Sequence, residues 1–312
     1  MKKILFSTLC IGMLLISCKK DHEIIPEPIP TLNLSNYYAD KIEDATQTFN
    51  LNNATGGSFT GEYGVIISVP ASAFVYADGT PVIGTIKFEL IEVLDYNTMV
   101  LLNKSTTADG ELLVSGGQLK LTVTKGGAEV LLADGAAVDV YVPTDIPDPS
   151  MGLYEGIENE DGFVEWGAIE DTIIIIEVED TVGGDFPFYY TFEFVNEKLG
   201  WINCDYAGWP DGASLTTVTC IFDEEYLTEN TAAYAVFPGY NSVYTLNAFE
   251  TSEFKGTNIP IGVDVKFVGV ANIDDVYYSC FTDMTNIVPD HEEIMTMSVS
   301  TLDDIEAAIA DL

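Results

Sequence analysis

Histidine is the usual general base in nucleophilic catalysis, and this sequence contains only two histidines. His291 lies in the acidic run Asp-His-Glu-Glu, and HEEIM lacks the second histidine that a zinc-protease helix carries four residues later. Ser115 lies in VSGG, which departs from a Gly-x-Ser-x-Gly nucleophile elbow because Leu113 replaces the first glycine. We therefore expect a solvated His291 in a polar loop, and a protein that is not an enzyme.

Carboxylates are the other groups that could do chemistry, because the chain has 50 of them. Two could flank a glycosidic bond without any histidine, so a histidine-free hydrolase stays an alternative. Oxygen-rich clusters also suit calcium. The candidates are residues 158–161 (Glu-Asn-Glu-Asp), Asp205 with Asp211, and Asp274 with Asp275. None follows the spacing of a calcium loop, so solvated charge is the simpler interpretation; the metal ligands stay unassigned, and calcium is the only cofactor considered.

Three cysteines in the body of the chain, Cys204, Cys220 and Cys280, raise the question of a disulfide. An odd number leaves at least one thiol free in an exported protein. Cys204 and Cys220 are close in sequence, on segments that could pair across the turn at 209–212, so they form a candidate disulfide. Three buried free thiols that pack as small apolar residues are the alternative.

Two tryptophans flank polar side chains in a way that suits sugar recognition. Trp201 and Trp209 bracket Asn203 and Asp205, and sugar sites combine a flat apolar face with amide and carboxylate partners for hydroxyls. These four residues are the candidate glycan contacts; two core tryptophans near a turn are the alternative. An aromatic stripe of period two at 186–194 predicts a core strand rather than an exposed stacking face.

Composition limits the class of protein. The chain has 312 residues, and its 12 basic side chains, all lysine, leave a formal net charge of −38. This acidic protein cannot neutralise a phosphate backbone, which argues against nucleic acid as a partner. It is 47% hydrophobic and 11% aromatic, so it can bury a real core and is long enough for one or two domains.

The N-terminus carries the clearest motif. Two lysines follow Met1, and the apolar run at 4–16 is too short to span a bilayer. It ends in Leu-Ile-Ser-Cys at 15–18, which resembles the lipobox of a bacterial lipoprotein signal peptide. The resemblance implies that residues 1–17 are removed and that Cys18 carries diacylglycerol through a thioether and an N-linked acyl chain such as palmitate. Several acyl chains would anchor the protein stably in a membrane.

The residues after Cys18 predict on which side of the outer membrane the protein lies. Lysine followed by acids at 19–23 resembles the surface-export signal of Bacteroidota lipoproteins and implies the cell surface at the outer membrane; a periplasmic face is the alternative. Three prolines within 24–30 predict a stiff extended segment, so that residues 18–34 form a tether.

The sequence after the tether predicts an all-β fold. Apolar and polar residues alternate in 84–93 (GTIKFELIEV), 117–124 and 137–142, with Gly, Asp and Pro turns between such runs. This pattern predicts two β-sandwich-like domains in tandem. Three prolines in 143–152 place the boundary, giving an N-terminal domain at 35–145 and a C-terminal domain at 146–312. Apolar spacing in 301–312, with Ser300 or Thr301 as a cap, predicts a short C-terminal helix.

A family resemblance rests on three stretches: 64–74 (GVIISVPASAF), the turn and strand DGTPVIGTIKFEL, and ADGELLVSGGQLKLTVT. They are similar to a module of uncharacterised Bacteroidota surface lipoproteins, and 199–205 (LGWINCD) is similar to a segment downstream in the same proteins. The module also resembles the β-sandwich of the ankyrin- and netrin-receptor type. The resemblance implies a sandwich fold and an envelope location, and it brings no catalytic residue.

These observations together predict an outer-membrane-anchored lipoprotein that acts as a non-enzymatic surface interaction or envelope structural module. A glycan-binding accessory lipoprotein of polysaccharide uptake is the alternative. The expected partners are the membrane, through the lipid, and a surface protein or glycan.

Overall fold

A computed structural model describes residues 34–145, 147–159, 162–169, 173–177, 187–195, 198–208 and 213–312. The predicted signal peptide, Cys18 and nearly all of the predicted tether lie outside these residues. Residues Thr31–Leu312 form one compact unit, and the all-β fold class with a short C-terminal helix is confirmed. Within the described residues, no helix combines the length and apolar character needed to cross a bilayer.

The first β-sandwich is built from the strands that precede residue 207. The strands of this part of the chain are β1 (Gln47–Asn52), β2 (Gly57–Thr60), β3 (Ile66–Val69), β4 (Phe74–Val75), β5 (Thr85–Val93), β6 (Thr107–Ala108), β7 (Glu111–Leu112), β8 (Val114–Lys125), β9 (Ala128–Glu129), β10 (Leu131–Leu132), β11 (Val138–Thr144), β12 (Gly152–Glu158), β13 (Val164–Ile169), β14 (Ile174–Glu177), β15 (Phe188–Phe194) and β16 (Trp201–Tyr206). The short β6–β7 hairpin is a separate sheet, and its Leu112 packs in the core of the second sandwich.

Two sheets of this sandwich face each other. One sheet has the order β1-β5-β8-β16-β12-β13, with β9 on β8, and the other has the order β14-β15-β11-β3-β2. Alternate side chains of both sheets fill the core between them, for example Phe88, Leu121, Val140 and Phe192. The aromatic stripe accordingly packs in the core, as its period predicts. The apolar run at 172–178 predicts a central strand or a sheet–sheet contact. Its described part forms the edge strand β14, and Ile175 packs against the core between the two sheets.

The second β-sandwich uses the remaining strands, β17 (Leu215–Ile221), β18 (Thr231–Phe237), β19 (Ser242–Thr245), β20 (Asn247–Glu250), β21 (Glu253–Pro260), β22 (Asp264–Ile273), β23 (Val276–Phe281), β24 (Thr285–Asn286), β25 (His291–Ile294) and β26 (Ser298–Ser300). Its sheets have the orders β20-β21-β17-β25 and β19-β18-β22-β23-β26. Strand β25 runs parallel to β17. Val218, Phe237, Phe254 and Phe267 lie in the core between the two sheets.

A third core joins the two sandwiches. It contains the outer face of the β1–β13 sheet, the outer face of the β18–β22 sheet, and three helices: α1 (Ser35–Asp44), α2 (Tyr96–Leu101) and α3 (Leu302–Ala310). Strand β18 is buried along its whole length because both of its faces are covered. The predicted C-terminal helix is α3; Thr301 and Asp304 close a capping box at its start.

Buried hydrogen bonds reinforce this junction. The hydroxyl of Tyr38 on α1 lies 2.8 Å from that of Tyr234 on β18, which donates to Asn103 Oδ1 at 2.8 Å. Asn241, in left-handed backbone geometry (φ +48°), donates through Nδ2 to the carbonyls of Leu94 and Ser115, and its Oδ1 accepts from a backbone N–H of α2. The two sandwiches are therefore held by directional contacts as well as by apolar burial.

The sheets cross the predicted boundary at 145/146. Strands β12, β13 and β16 complete the sheet that contains β5 and β8, so the first sandwich extends to residue 206. The proline-rich segment 143–152 leads from β11 in one sheet to β12 in the other sheet of the same sandwich. A connection around a sandwich end needs the same turn-forming residues as an interdomain linker, which explains the difference.

The candidate disulfide between Cys204 and Cys220 is wrong. Cys204 lies in the core of the first sandwich and Cys220 in the core of the second, and both thiols are free. Cys280, also free, is partly buried beside the core of the second sandwich. The alternative of three free thiols that pack as small apolar residues describes what is observed.

Candidate functional site

Strand β16 lies inside the first sandwich's larger sheet, between β8 and β12, and it carries three of the four predicted glycan contacts. Ile202 and Cys204 point into the core of the first sandwich, so Trp201, Asn203 and Asp205 point to the opposite face. All three are almost completely buried there, and Trp201 belongs to the third core. They cannot stack on a sugar in this position, so the predicted glycan site is wrong for these residues; Trp209 lies outside the described residues.

A charged cluster occupies the same face, next to Trp201. Glu158, at the end of β12, accepts from Lys104 Nζ at 3.0 Å through Oε1 and from Lys120 Nζ at 2.5 Å through Oε2. Lys104 also donates to the carbonyl of Gly162 at 2.6 Å. Its side chain is only 2% exposed, while that of Glu158 is 26% exposed. One carboxylate therefore connects two lysines that are distant in sequence.

Tryptophan side chains surround this cluster. Trp201 Nε1 donates to Glu158 Oε2 at 3.1 Å, and its ring centroid lies 5.0 Å from Lys104 Nζ and 5.4 Å from Lys120 Nζ. The ring of Trp166 meets that of Trp201 edge to face, and Trp166 Nε1 donates to the carbonyl of Ser105 at 2.9 Å. The quadrupole of the Trp201 ring attracts both ammonium groups, and the N–H of the same side chain stabilises the carboxylate.

The environment shifts the pKa values of the pair in a consistent way. Burial lowers the pKa of Lys104, and the attraction of Glu158 offsets only part of that effect. Burial alone would raise the pKa of Glu158, but its hydrogen bond to Lys120 and the charge of Lys104 hold the pKa below its ordinary value. The pKa of Lys104 falls despite its partner because Lys104 is far less exposed than Glu158.

Asp205 forms a second polar group farther along β16. Asn203 Nδ2 donates to Asp205 Oδ2 at 2.5 Å, and Ser115 Oγ donates to Asn203 Oδ1 at 3.3 Å. Asp205 Oδ1 has no hydrogen-bond partner among the described residues. Burial raises the pKa of Asp205 well above its ordinary value, and the nearby polar groups of Ser115 and Asn203 offset this only in part. Burial thus favours the neutral form of this carboxyl group over the charged form.

An open cleft of about 490 Å³ lies beside Asp205. Ser150, Gly152 and Tyr154 line one part of it, and Tyr206 lies in the part that continues to Gly208. Burial raises the pKa of Tyr206, and the negative charge of Asp148 adds to the increase. The hydroxyls and backbone groups of this cleft can accommodate a small polar molecule, next to the buried Asp205.

The predicted calcium ligands are not assembled in the described part of the chain. There, no three His, Cys, Asp or Glu side chains are grouped so that they could hold a metal ion. Glu158 is paired with two lysines, and Asn159 Oδ1 accepts from the N–H of Phe163 at 3.0 Å. Asp205 is fully buried, and Asp274 and Asp275 form the turn between β22 and β23. The other predicted ligands, residues 160, 161 and 211, lie outside the described residues.

His291 is not the solvated loop residue that its acidic neighbours predict. It begins β25, is almost completely buried, and packs against Phe267 with ring centroids 5.4 Å apart. Its Nδ1 accepts from the N–H of Val288 at 3.3 Å, and its Nε2 lies 3.5 Å from Glu293 Oε2. The prediction fails because His291 lies in a strand that pairs with β17 and packs against Phe267 of the facing sheet, an arrangement that sequence alone does not reveal.

Sequence reasoning missed Lys104, Lys120 and Glu158 as one cluster. A weak signal existed, since lysine is scarce in this chain and Lys104 follows a run of apolar residues. Comparisons with protein-family models and with curated proteins find no match for the chain.

Proposed function

We propose that this protein is a lipid-anchored outer-membrane protein that presents a rigid, acidic double sandwich at the cell surface and acts by binding rather than by catalysis. The lipobox at 15–18 supports the anchor, and the proline-containing tether at 18–34 supports display away from the lipid. The resemblance to Bacteroidota surface lipoproteins points to the same compartment.

One observation supports binding over catalysis: the buried ionisable groups make contacts that stabilise the fold. Glu92 accepts from the backbone N–H groups of Tyr63 and Val65 at 3.1 and 2.9 Å and from Gln47 Nε2 at 2.7 Å. Lys104 is held by Glu158, and Asp205 is held by Asn203. These groups lock loops and strands to one another, which is a structural use of charge.

The junction between the sandwiches favours a role that depends on a fixed shape. Two independent domains would tumble about a linker, whereas these share an apolar core with three helices and several buried hydrogen bonds. A binding protein loses less conformational entropy when its surface is preorganised in this way. The same rigidity suits an envelope structural module.

The anchor is tested with the full-length protein expressed in its own type of cell and grown with labelled palmitate. Cys18→Ala should abolish label incorporation and release the protein from the membrane fraction, because the thioether needs the thiol. Cys10→Ala is the matched control, since Cys10 lies within the apolar run and outside the lipobox. A membrane-impermeant biotin reagent on intact cells should label the native protein. Unlabelled native protein, or a Cys18→Ala protein that fractionates normally, would contradict the proposal.

The binding role is tested against the most plausible catalytic arrangement. A carboxyl group with a raised pKa beside a cleft is what a general acid requires, so Asp205 is the residue on which a hydrolase would depend. We expect no hydrolysis of a panel of nitrophenyl glycosides and esters above the level of the Asp205→Asn variant. Turnover by the native protein that Asp205→Asn abolishes would establish an enzyme instead.

A further inference from the structure

A second pocket lies on the C-terminal sandwich, remote in sequence from the cleft at Asp205. It is about 260 Å³ and sits between the tip of the β20–β21 hairpin and the loop at 223–230. Phe249, Glu250 and Thr251 line it from the hairpin, and Thr228 and Glu229 line it from the loop. The volume suits a single ring-sized molecule or one unit of a longer chain.

Phe249 is the aromatic group of this pocket, and the backbone turns it outward. The register of β20 against β21 shifts between Ala248 and Glu250, so Phe249 occupies an irregularity of an edge strand. Such irregularities re-aim side chains and are common beside binding sites. Phe249 is 63% exposed, so its ring is accessible to a ligand. Lys255 Nζ lies 3.6 Å from its ring centroid and holds the ring from one face.

The polar side chains around Phe249 lack protein partners within the described part of the chain. Those of Thr228, Glu229, Glu250 and Thr251 form no hydrogen bond or ion pair within the described part of the chain. Ser252, which also lines the pocket, is only 6% exposed, and its Oγ has no partner there. A buried hydroxyl without a partner is costly, which favours a ligand that bonds to Ser252, and the more exposed side chains beside it have no protein partner to compete with a ligand.

Both walls of the pocket are held in place. Ser252 has left-handed geometry (φ +62°), and its carbonyl accepts from the N–H of Phe222 at 2.9 Å, which ties the hairpin tip to the end of β17. In the loop, Asn230 Oδ1 accepts from the N–H of Leu227 at 2.8 Å, and Asn230 Nδ2 donates to the carbonyl of Glu225 at 2.9 Å. The pocket is therefore formed before any ligand arrives.

We infer that this pocket binds a neutral saccharide unit, with the ring of Phe249 against the apolar C–H face of the sugar and the carboxylates of Glu229 and Glu250 accepting its hydroxyls. An anionic ligand is disfavoured by those two carboxylates. A cationic ligand is disfavoured at the ring because the ammonium of Lys255 already occupies one face and would repel a second cation. This inference stands whether or not Cys18 is acylated.

The test uses the full-length lipoprotein in detergent micelles and saturation-transfer NMR with cellohexaose, maltohexaose and mannohexaose as probes. We expect at least one hexaose to bind in the millimolar range. Phe249→Ala should weaken that binding at least tenfold, and Phe249→Trp should retain it, because the larger ring keeps the stacking face. Ile83→Ala is the matched control: Ile83 is another exposed apolar residue, and it lies on the first sandwich.

Clear outcomes would overturn the inference. They are the absence of binding for all three hexaoses, or a Phe249→Ala variant that binds as well as the native protein. Binding that EDTA abolishes would indicate a cation site instead, and preferential binding of tetralysine would indicate a basic peptide. Circular dichroism of Phe249→Ala should match the native protein because an exposed side chain on an edge strand contributes little to folding.

Discussion

The ion cluster at the junction gives the sharpest stability prediction. Replacing Glu158 with glutamine keeps an acceptor for Trp201 Nε1 but removes the charge that lies 3.0 Å from Lys104 Nζ. The buried ammonium then retains only the Gly162 carbonyl and the face of Trp201. Breaking a fully buried pair costs about 3–5 kcal/mol, and Glu158 is a quarter exposed, so we expect a loss of about 2–4 kcal/mol.

Glu129→Gln is the matched control, because Glu129 and Lys198 lie at the same 3.0 Å but are 60% and 65% exposed. An exposed pair of this kind contributes about 0–1 kcal/mol. Urea unfolding followed by tryptophan fluorescence measures both variants, since Trp166 and Trp201 lie beside the cluster. In thermal unfolding, Glu158→Gln should lower Tm by about 6 °C. Equal losses in the two variants would show that burial of Lys104 does not strengthen its dependence on Glu158.

Three further predictions test other parts of the structure. Between about pH 4 and the raised pKa of folded Asp205, ionisation of this acid favours the unfolded state of the native protein but not that of Asp205→Asn. The variant should therefore gain about 1.4 kcal/mol of stability relative to the native protein for each pH unit in this range. Urea unfolding at several pH values measures the difference, and a difference independent of pH would refute the prediction. Asn241→Ala should lower the free energy of unfolding by about 2–4 kcal/mol, because it removes the hydrogen bonds to Leu94 and Ser115. Asn241→Gly should restore only the part of this loss that comes from the positive φ at residue 241. Hydrogen exchange at the junction measures both effects. Alkylation of denatured protein without prior reduction should label Cys204, Cys220 and Cys280, because all three thiols are free. In the native protein Cys280 should react first, because it is the least buried of the three. A disulfide-linked peptide would contradict this prediction.

Local patterns in the sequence were sufficient for the fold class. Alternation in 84–93 predicts β5, and that in 117–124 predicts most of β8, because the period of two depends only on the strand itself. The apolar spacing and the capping residue Thr301 predict α3 for the same reason. The lipobox is also local, so the anchor at Cys18 could be proposed without any structure.

What covers each strand was decided only by the tertiary structure. In β16, Trp201, Asn203 and Asp205 share one face and Ile202 and Cys204 the other, a pattern typical of a strand with one solvated face. That polar face is instead buried, since helices and strands from both ends of the chain pack over this side of the sheet. Sequence alternation shows which residues share a face, but it contains no information on the distant segments that cover that face.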